Sequence, residues 1–257
     1  MNHDSVRQAS IYITGTDTGV GKTLVSTSVL HALRARGLRA VGMKPVASGC
    51  SRIGGGWRND DALQLQSASN PRPLYENLNP YALIHPLAPE LAAQDEGVEV
   101  TLEPILSAWS RLAGQADAVV VEGVGGWAAP LSASLDQSAV VRALGVPVVL
   151  VVGLRLGCIS HARLTASAIE ADGAHLAGWI ASEIDPEMDR IDDNFALLHQ
   201  RLNAPCWGRL PFRPSACPAD MALALRLPEW PSQRRVAPTS GTGLPPVTNV
   251  NWPVQET

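Results

Sequence analysis

The chain has 257 residues, of which 46% are hydrophobic and 17% charged, and its formal net charge is −4. That size and balance suit one α/β domain with a buried core and argue against general nucleic-acid binding. No apolar stretch is long enough to span a bilayer, the N-terminus lacks the layout of a secretory signal, and Cys50, Cys158, Cys206 and Cys217 show no C-x-x-C spacing, which fits a reducing cytoplasm without a disulfide framework or zinc site.

Met1 to Ala9 is polar and expected to fray. Ser10 to Thr14 reads as the first strand and Leu24 to Arg36 as a helix that Gly37 stops. Between them lies Gly15-Thr16-Asp17-Thr18-Gly19-Val20-Gly21-Lys22-Thr23. Strand, glycine-rich turn and helix form the context of a phosphate-binding loop. Backbone N–H groups and the positive end of the helix dipole would face an anion there, Lys22 would reach terminal phosphate oxygens, and the Thr23 hydroxyl would ligate Mg²⁺. Gly15 and Gly21 enclose five residues, so the loop is one longer than the usual pattern. His31, on the helix, reads as a packing residue, since nothing nearby makes it a base.

Leu38 to Lys44 reads as a second strand, ended by Pro45. Lys44 at its carboxyl end either faces the same phosphates as Lys22 or is a solvated strand-end lysine. The loop through Ser48 leads into Gly54-Gly55-Gly56, expected to be mobile. Asn59-Asp60-Asp61 begins a helix over Ala62 to Ser67, where either acid could cap the helix or reach a metal. Asn70 to Pro89, rich in Pro and Asn, is expected to be an ordered irregular loop covering the site. A helix opens at Thr101 and closes at Gly114.

Ala118-Val119-Val120-Val121-Glu122-Gly123 has the form of a buried parallel strand ending in an acid. Glu122 would then stand where phosphate-loop enzymes usually carry a metal-site Asp; the plainer reading is a strand and a turn. Val124-Gly125-Gly126-Trp127 follows, where backbone can approach a ligand closely. Pro147 to Val152 is the next strand, and a helix runs from Gly157-Cys158-Ile159-Ser160 to about Ala171, with bare N–H groups at its start. Leu176 to Ser182 is a strand, Met188 to Leu202 a helix and Cys206 to Leu210 a last strand before Pro211-Phe212-Arg213. Five or more buried strands alternating with helices predict a mostly parallel sheet covered on both faces, in one α/β domain over residues 1–228. From Glu229 onward Pro, Ser, Thr and Gly dominate, and residues 229–257 are expected to be a poorly ordered tail.

The segments Thr14 to Thr23, Lys44-Pro45-Val46-Ala47-Ser48-Gly49, Asn59-Asp60-Asp61-Ala62-Leu63, Val121 to Trp127 and Leu156-Gly157-Cys158-Ile159-Ser160-His161 together resemble dethiobiotin synthetases of the biotin pathway. The likeness covers about Ile11 to Pro211 and includes the spacing. It implies an ATP- and Mg²⁺-dependent ligase that takes 7,8-diaminononanoate and CO₂ to dethiobiotin, through a carbamate and a carbamic–phosphoric anhydride. Lys22 and Lys44 would flank carbamate and γ-phosphate; Thr23, Asp61 and Glu122 would hold Mg²⁺; Thr18 and Ser48 would contact substrate or phosphate. The resemblance also implies that Gly157 to Ser160 grip the substrate's carboxylate across a homodimer interface. Nucleotide contacts would fall on Gly19, Val20, Gly21, Lys22, Thr23 and Leu24, on Gly123, Val124 and Gly125, on Ser182 and Glu183, and on Pro211, Phe212 and Arg213.

The chain departs from the family pattern at Gly19, where relatives often carry Glu, and at Ser182-Glu183, where they carry Asn-Asp. The competing reading is a partitioning or site-selection ATPase acting as a dimeric switch. Such proteins carry an extra lysine early in the loop, where this chain has Asp17, and the chain lacks a basic amphipathic terminal helix.

Overall fold

The computed structural model describes residues 9–229; residues 1–8 and 230–257 lie outside the described residues, and with them nearly all of the expected tail and all of the expected frayed start but Ala9, which is buried in the core. Six strands form the central sheet: β1 (Ile11–Gly15), β2 (Ala40–Met43), β3 (Ala118–Glu122), β4 (Val148–Leu154), β5 (Leu176–Glu183) and β6 (Cys206–Leu210). Their order is β6-β5-β4-β1-β3-β2, and every pairing is parallel. The six principal helices are α1 (Lys22–Ala35), α2 (Asp60–Ala68), α3 (Leu102–Ala113), α4 (Gln137–Leu144), α5 (Cys158–Ala171) and α6 (Ile191–Arg201).

Strand side chains alternate faces, so a sheet buried on both sides needs apolar residues at every position. The two cores show this directly. Tyr12, Val119, Val121, Leu150 and Val152 belong to one, packed with Trp109, Leu144, Ala162 and Leu198 from α3, α4, α5 and α6. Ile11, Ile13, Val120, Val149 and Val151 belong to the other, packed with Val29, Leu33 and Leu65 from α1 and α2. Among the described residues no helix is long and apolar enough to cross a membrane. All four cysteines are free.

Parallel register fixes where the strands deliver their last residues. Ile13 pairs with Glu122, and Met43 pairs with Val121, so Lys44 comes level with Glu122. Adjacent strands β1, β3 and β2 therefore bring the glycine-rich turn, Glu122 and Lys44 to one carboxyl edge. Ligands of open α/β sheets collect at such an edge, where the strand order reverses.

Several boundaries differ from the sequence reading. The first helix begins at Lys22, because the turn closes on Gly21, and β2 begins at Ala40. Gly54-Gly55 turn a short antiparallel hairpin, Ser51–Ile53 against Gly56–Arg58, so the segment expected to be mobile is a paired element. Asn59 caps α2 by accepting from Ala62 N at 3.3 Å, which frees Asp60 and Asp61 from capping. α4 has no counterpart in the sequence reading, and α6 starts at Ile191 rather than Met188.

The stretch from Asn70 to Pro89 is ordered, as expected, but contains a short helix, Tyr75–Leu78, and a short strand, Tyr81–Ala82, that pairs with Val46–Ala47. It holds the end of β2. Lys44 N–H donates to Leu78 O at 2.8 Å, and buried Asn79 Nδ2 donates to Lys44 O at 2.7 Å. Asn79 Oδ1 accepts from the Tyr75 hydroxyl at 3.1 Å, and that hydroxyl accepts from Asn59 N at 2.8 Å. Asn79→Ala removes the link between these segments and leaves buried partners unmet, which costs about 1–3 kcal/mol of stability. Urea denaturation checks this, and an unchanged midpoint would show that the network holds nothing.

Candidate active site

The glycine-rich turn closes on a position that only glycine fits. Gly21 caps α1 in the left-handed region at φ 89°, and a Cβ there would stand 2.5 Å from Ser182 Oγ. Both facts require glycine. Lys22 is buried, and its ammonium donates to Asp17 O at 2.8 Å, folding back under the turn. Burial, reinforced by the nearby Lys44 charge, brings the Lys22 pKa down to about 8. Asp17 accepts from Thr18 N at 2.7 Å and pairs with Arg155 at 2.5 Å. The Thr18 N–H contact leads these effects in holding the Asp17 carboxyl below its ordinary range.

Behind the turn lies a charge cluster. Lys44, 4% exposed at its side chain, donates to Glu122 Oε1 at 2.6 Å, to Gly123 O at 3.1 Å and to Asp61 Oδ2 at 3.2 Å. Glu122 is fully buried, and its Oε1 also accepts from Thr23 Oγ1 at 3.0 Å. Burial alone would drive the Lys44 pKa down, but Glu122 and Asp61 outweigh it and raise the value. Asp61 is opposed by its burial too, yet Lys44 lowers its pKa. Lys44 is thus a paired residue inside the site and not a solvated strand-end lysine. Lys22 and Lys44 are the only lysines in the sequence.

Gln137 shapes the neighbouring turn, and the sequence reading missed it. Its Oε1 accepts from Val124 N at 2.9 Å, and its Nε2 donates to Gly126 O at 2.9 Å. A single glutamine far along the chain carries no motif that would have revealed this. Asn59, Tyr75 and Asn79 were likewise missed, although an Asn before an acidic first turn is a capping signal.

The other expected site residues divide. Thr18 and Gly19 are exposed at the mouth of the turn, whereas Val20 faces the core and offers only backbone. Ser48 Oγ is buried without a hydrogen-bond partner among the described residues, and Asn59 Nδ2 pins Ser48 O at 3.1 Å. Gly157 starts α5 at φ 94°, Cys158 points into the core, and its N–H donates to Arg155 O at 3.0 Å. Ile159 and Ser160 remain as the donors of that helix start. Ser182 is buried against Gly21. Both Glu183 oxygens are engaged, by Arg209 Nε at 2.6 Å and Phe212 N at 3.1 Å, so Glu183 braces the Pro211-Phe212-Arg213 turn. Phe212 and Arg213 are exposed, and Leu24 is half-buried.

A glycine-rich turn between the central strand of a parallel sheet and a helix, with a lysine and a hydroxyl at its end, defines a phosphate-loop nucleotide-binding protein. A family model described as an AAA domain matches residues 9–219. ATP-dependent dethiobiotin synthetase BioD of Xanthomonas oryzae pv. oryzae (strain PXO99A) is 66% identical over 219 residues, covering 85% of this chain and 98% of its own. The protein of the same name from Xylella fastidiosa (strain 9a5c) is 61% identical over 218 residues, covering 84% and 96%. The chain belongs to the family of ATP-dependent dethiobiotin synthetases. A ParA family ATPase from Chlorobium tepidum TLS aligns with TM-score 0.51 at 13% identity, over 85% of this chain and 91% of that one. MinD from Aquifex aeolicus aligns with TM-score 0.50 at 15% identity, over 83% and 85%. These two share the fold, and family membership sets the partitioning-ATPase reading aside.

Gly21→Ala tests the geometry of the turn. A left-handed alanine costs about 1–2 kcal/mol, and its methyl would collide with Ser182. Calorimetry should find ADP binding weakened at least about tenfold; unchanged affinity would mean that the turn tolerates a Cβ and does not cradle phosphate as drawn.

Proposed function

We propose that this ATP-dependent cyclo-ligase closes the ureido ring of dethiobiotin from 7,8-diaminononanoate, CO₂ and ATP, releasing ADP and phosphate. The observation that carries the reading is the convergence of the chain's two lysines with Glu122 and Asp61 at one sheet edge, in a member of this family. One amine of the substrate captures CO₂ as a carbamate. A carbamate oxygen attacks the γ-phosphorus, and ADP leaves with the electrons of the broken bond. The second amine then attacks the carbamoyl carbon of the mixed anhydride, loses its proton and expels phosphate as the ring closes.

Phosphoryl transfer needs in-line positioning and neutralised charge more than covalent help. Lys22, released from the Asp17 carbonyl, neutralises the terminal phosphates. Lys44 faces the carbamate. Thr18 is exposed at the mouth of the loop and the Ser48 hydroxyl has no partner among the described residues, which supports both as hydrogen-bond donors to substrate or phosphate. The N–H groups of Ile159 and Ser160 suit a carboxylate, and an arrangement in which α5 serves a neighbouring subunit's site would make a homodimer the working unit. The four free cysteines support the cytoplasm as its compartment.

Glu122 Oε2 is buried without a hydrogen-bond partner among the described residues, a state that suits a cation. Hard oxygen donors from Glu122, Asp61 and Thr23 match Mg²⁺. When bound, Mg²⁺ would neutralise charge on the phosphate oxygens.

The reading is tested by incubating the protein with ATP, Mg²⁺, bicarbonate and 7,8-diaminononanoate. Dethiobiotin should appear by mass, and phosphate release should require both diamine and bicarbonate. Full-rate ATP hydrolysis without either would overturn the assignment.

Base recognition at Ser182 should be weak. An Asn offers a donor and an acceptor to adenine, whereas Ser182 has one short hydroxyl and Glu183 is occupied by Arg209 and Phe212. Preference for ATP over CTP or GTP should therefore fall roughly tenfold below that of Asn-bearing relatives. If Ser182→Asn leaves the ratio of kcat/KM among nucleotides unchanged, base recognition runs elsewhere, and the Pro211–Arg213 backbone is the next candidate.

A further inference from the structure

An ammonium has three hydrogens to donate, and Lys44 has spent all three, on Glu122 Oε1, Gly123 O and Asp61 Oδ2. A lysine in that state has nothing left for a substrate anion. The carboxylates that hold it are the ones read above as metal ligands. Two cations crowded against the same carboxylates repel, most strongly at fully buried Glu122, where little water separates them, and less at half-exposed Asp61.

From this mutual exclusion we infer that Lys44 is the metal site's internal counter-cation: it stands in for the divalent ion in the ligand-free protein, and on metal–nucleotide binding its ammonium leaves the Asp61 and Glu122 carboxylates and turns to the carbamate. The inference rests on the metal reading of Glu122 and Asp61. Two observations support the exchange. Glu122 Oε2 has no partner among the described residues, so the carboxylate keeps one oxygen available while Lys44 is still in place. The Lys44 backbone is fixed at both ends, N–H to Leu78 O and C=O from Asn79 Nδ2, so the motion is confined to the flexible four-carbon stem. Lysine suits this better than arginine, whose planar fork would stay clamped on a carboxylate. The consequence is an order of events: Lys44 becomes available to the carbamate once metal and nucleotide are bound, which discourages contact with substrate in their absence.

The test uses the fact that the chain has two lysines. With ¹⁵N-lysine labelling, two Nζ signals are expected, and Lys22→Arg assigns them. Adding Mg²⁺ with adenylyl imidodiphosphate to the wild-type protein should shift the Lys44 signal and speed its hydrogen exchange. In parallel, Mn²⁺ binding to nucleotide-free protein, read by electron paramagnetic resonance, should tighten at least about tenfold in Lys44→Met and should not tighten in Lys44→Arg, whose clamped guanidinium competes with the ion. A Lys44 signal unmoved at saturating Mg²⁺ and nucleotide, or Mn²⁺ affinity unchanged or weaker in Lys44→Met, overturns the exchange. The wild-type spectrum decides the matter if Lys44→Met fails to fold. If Glu122→Gln and Asp61→Asn leave Mn²⁺ affinity of the nucleotide complex unchanged, the metal reading itself has failed, and the exchange falls with it.

Discussion

Glu122 is the constraint on which the site depends. A carboxylate with 0% side-chain exposure survives only with compensating charge and hydrogen bonds. Lys44 supplies the charge at 2.6 Å, and Thr23 adds a hydroxyl at 3.0 Å. Taking away one member of a buried pair costs about 3–5 kcal/mol, because the other is left charged and alone. The pair contributes little net stability against an apolar replacement of the same shape. Its place in the core suits the proposed chemistry: two carboxylates and two ammonium groups stand at one sheet edge, where the proposed reaction would have to balance phosphate and carbamate charge.

That pairing holds only if three strands keep register. A slip of one residue in β2 would turn Lys44 to the other face of the sheet and leave Glu122 unpaired. The alternating cores prevent it. Val119 and Val121 must face α3 while Val120 faces α1, and each is fully buried. Burial at about 25 cal/mol per Å² along every strand fixes the register far more firmly than the ion pair could. Packing thus positions the charges.

The long excursion between β2 and α3 completes the site from outside the sheet. Asn79, Tyr75 and Asn59 form one hydrogen-bonded path from the Lys44 carbonyl to the start of α2, where Asp61 sits. On the opposite side Arg155 reaches from the end of β4 to Asp17 in the phosphate loop. The half-exposed pair is worth about 1 kcal/mol or less. It ties the helix start at Gly157 to the loop that holds Lys22, so the two proposed anion sites share a support.

The sequence alone determined the strand–turn–helix of the phosphate loop, the acid-ended strand at Glu122 and the parallel α/β class. These are local signals: glycines within nine residues of a lysine, apolar runs of strand length, caps and breakers. Tertiary structure decided the rest. Whether Lys44 was solvated or paired depended on Glu122, which lies 78 residues away in the chain. Gln137 reaches Thr14 across 123 residues, and Arg155 reaches Asp17 across 138. Such contacts follow from strand order and register, which place distant segments side by side, and no periodicity along the chain encodes them. The same holds for α4, whose short amphipathic stretch follows a two-stranded hairpin and stands out only once its apolar face has a sheet to cover.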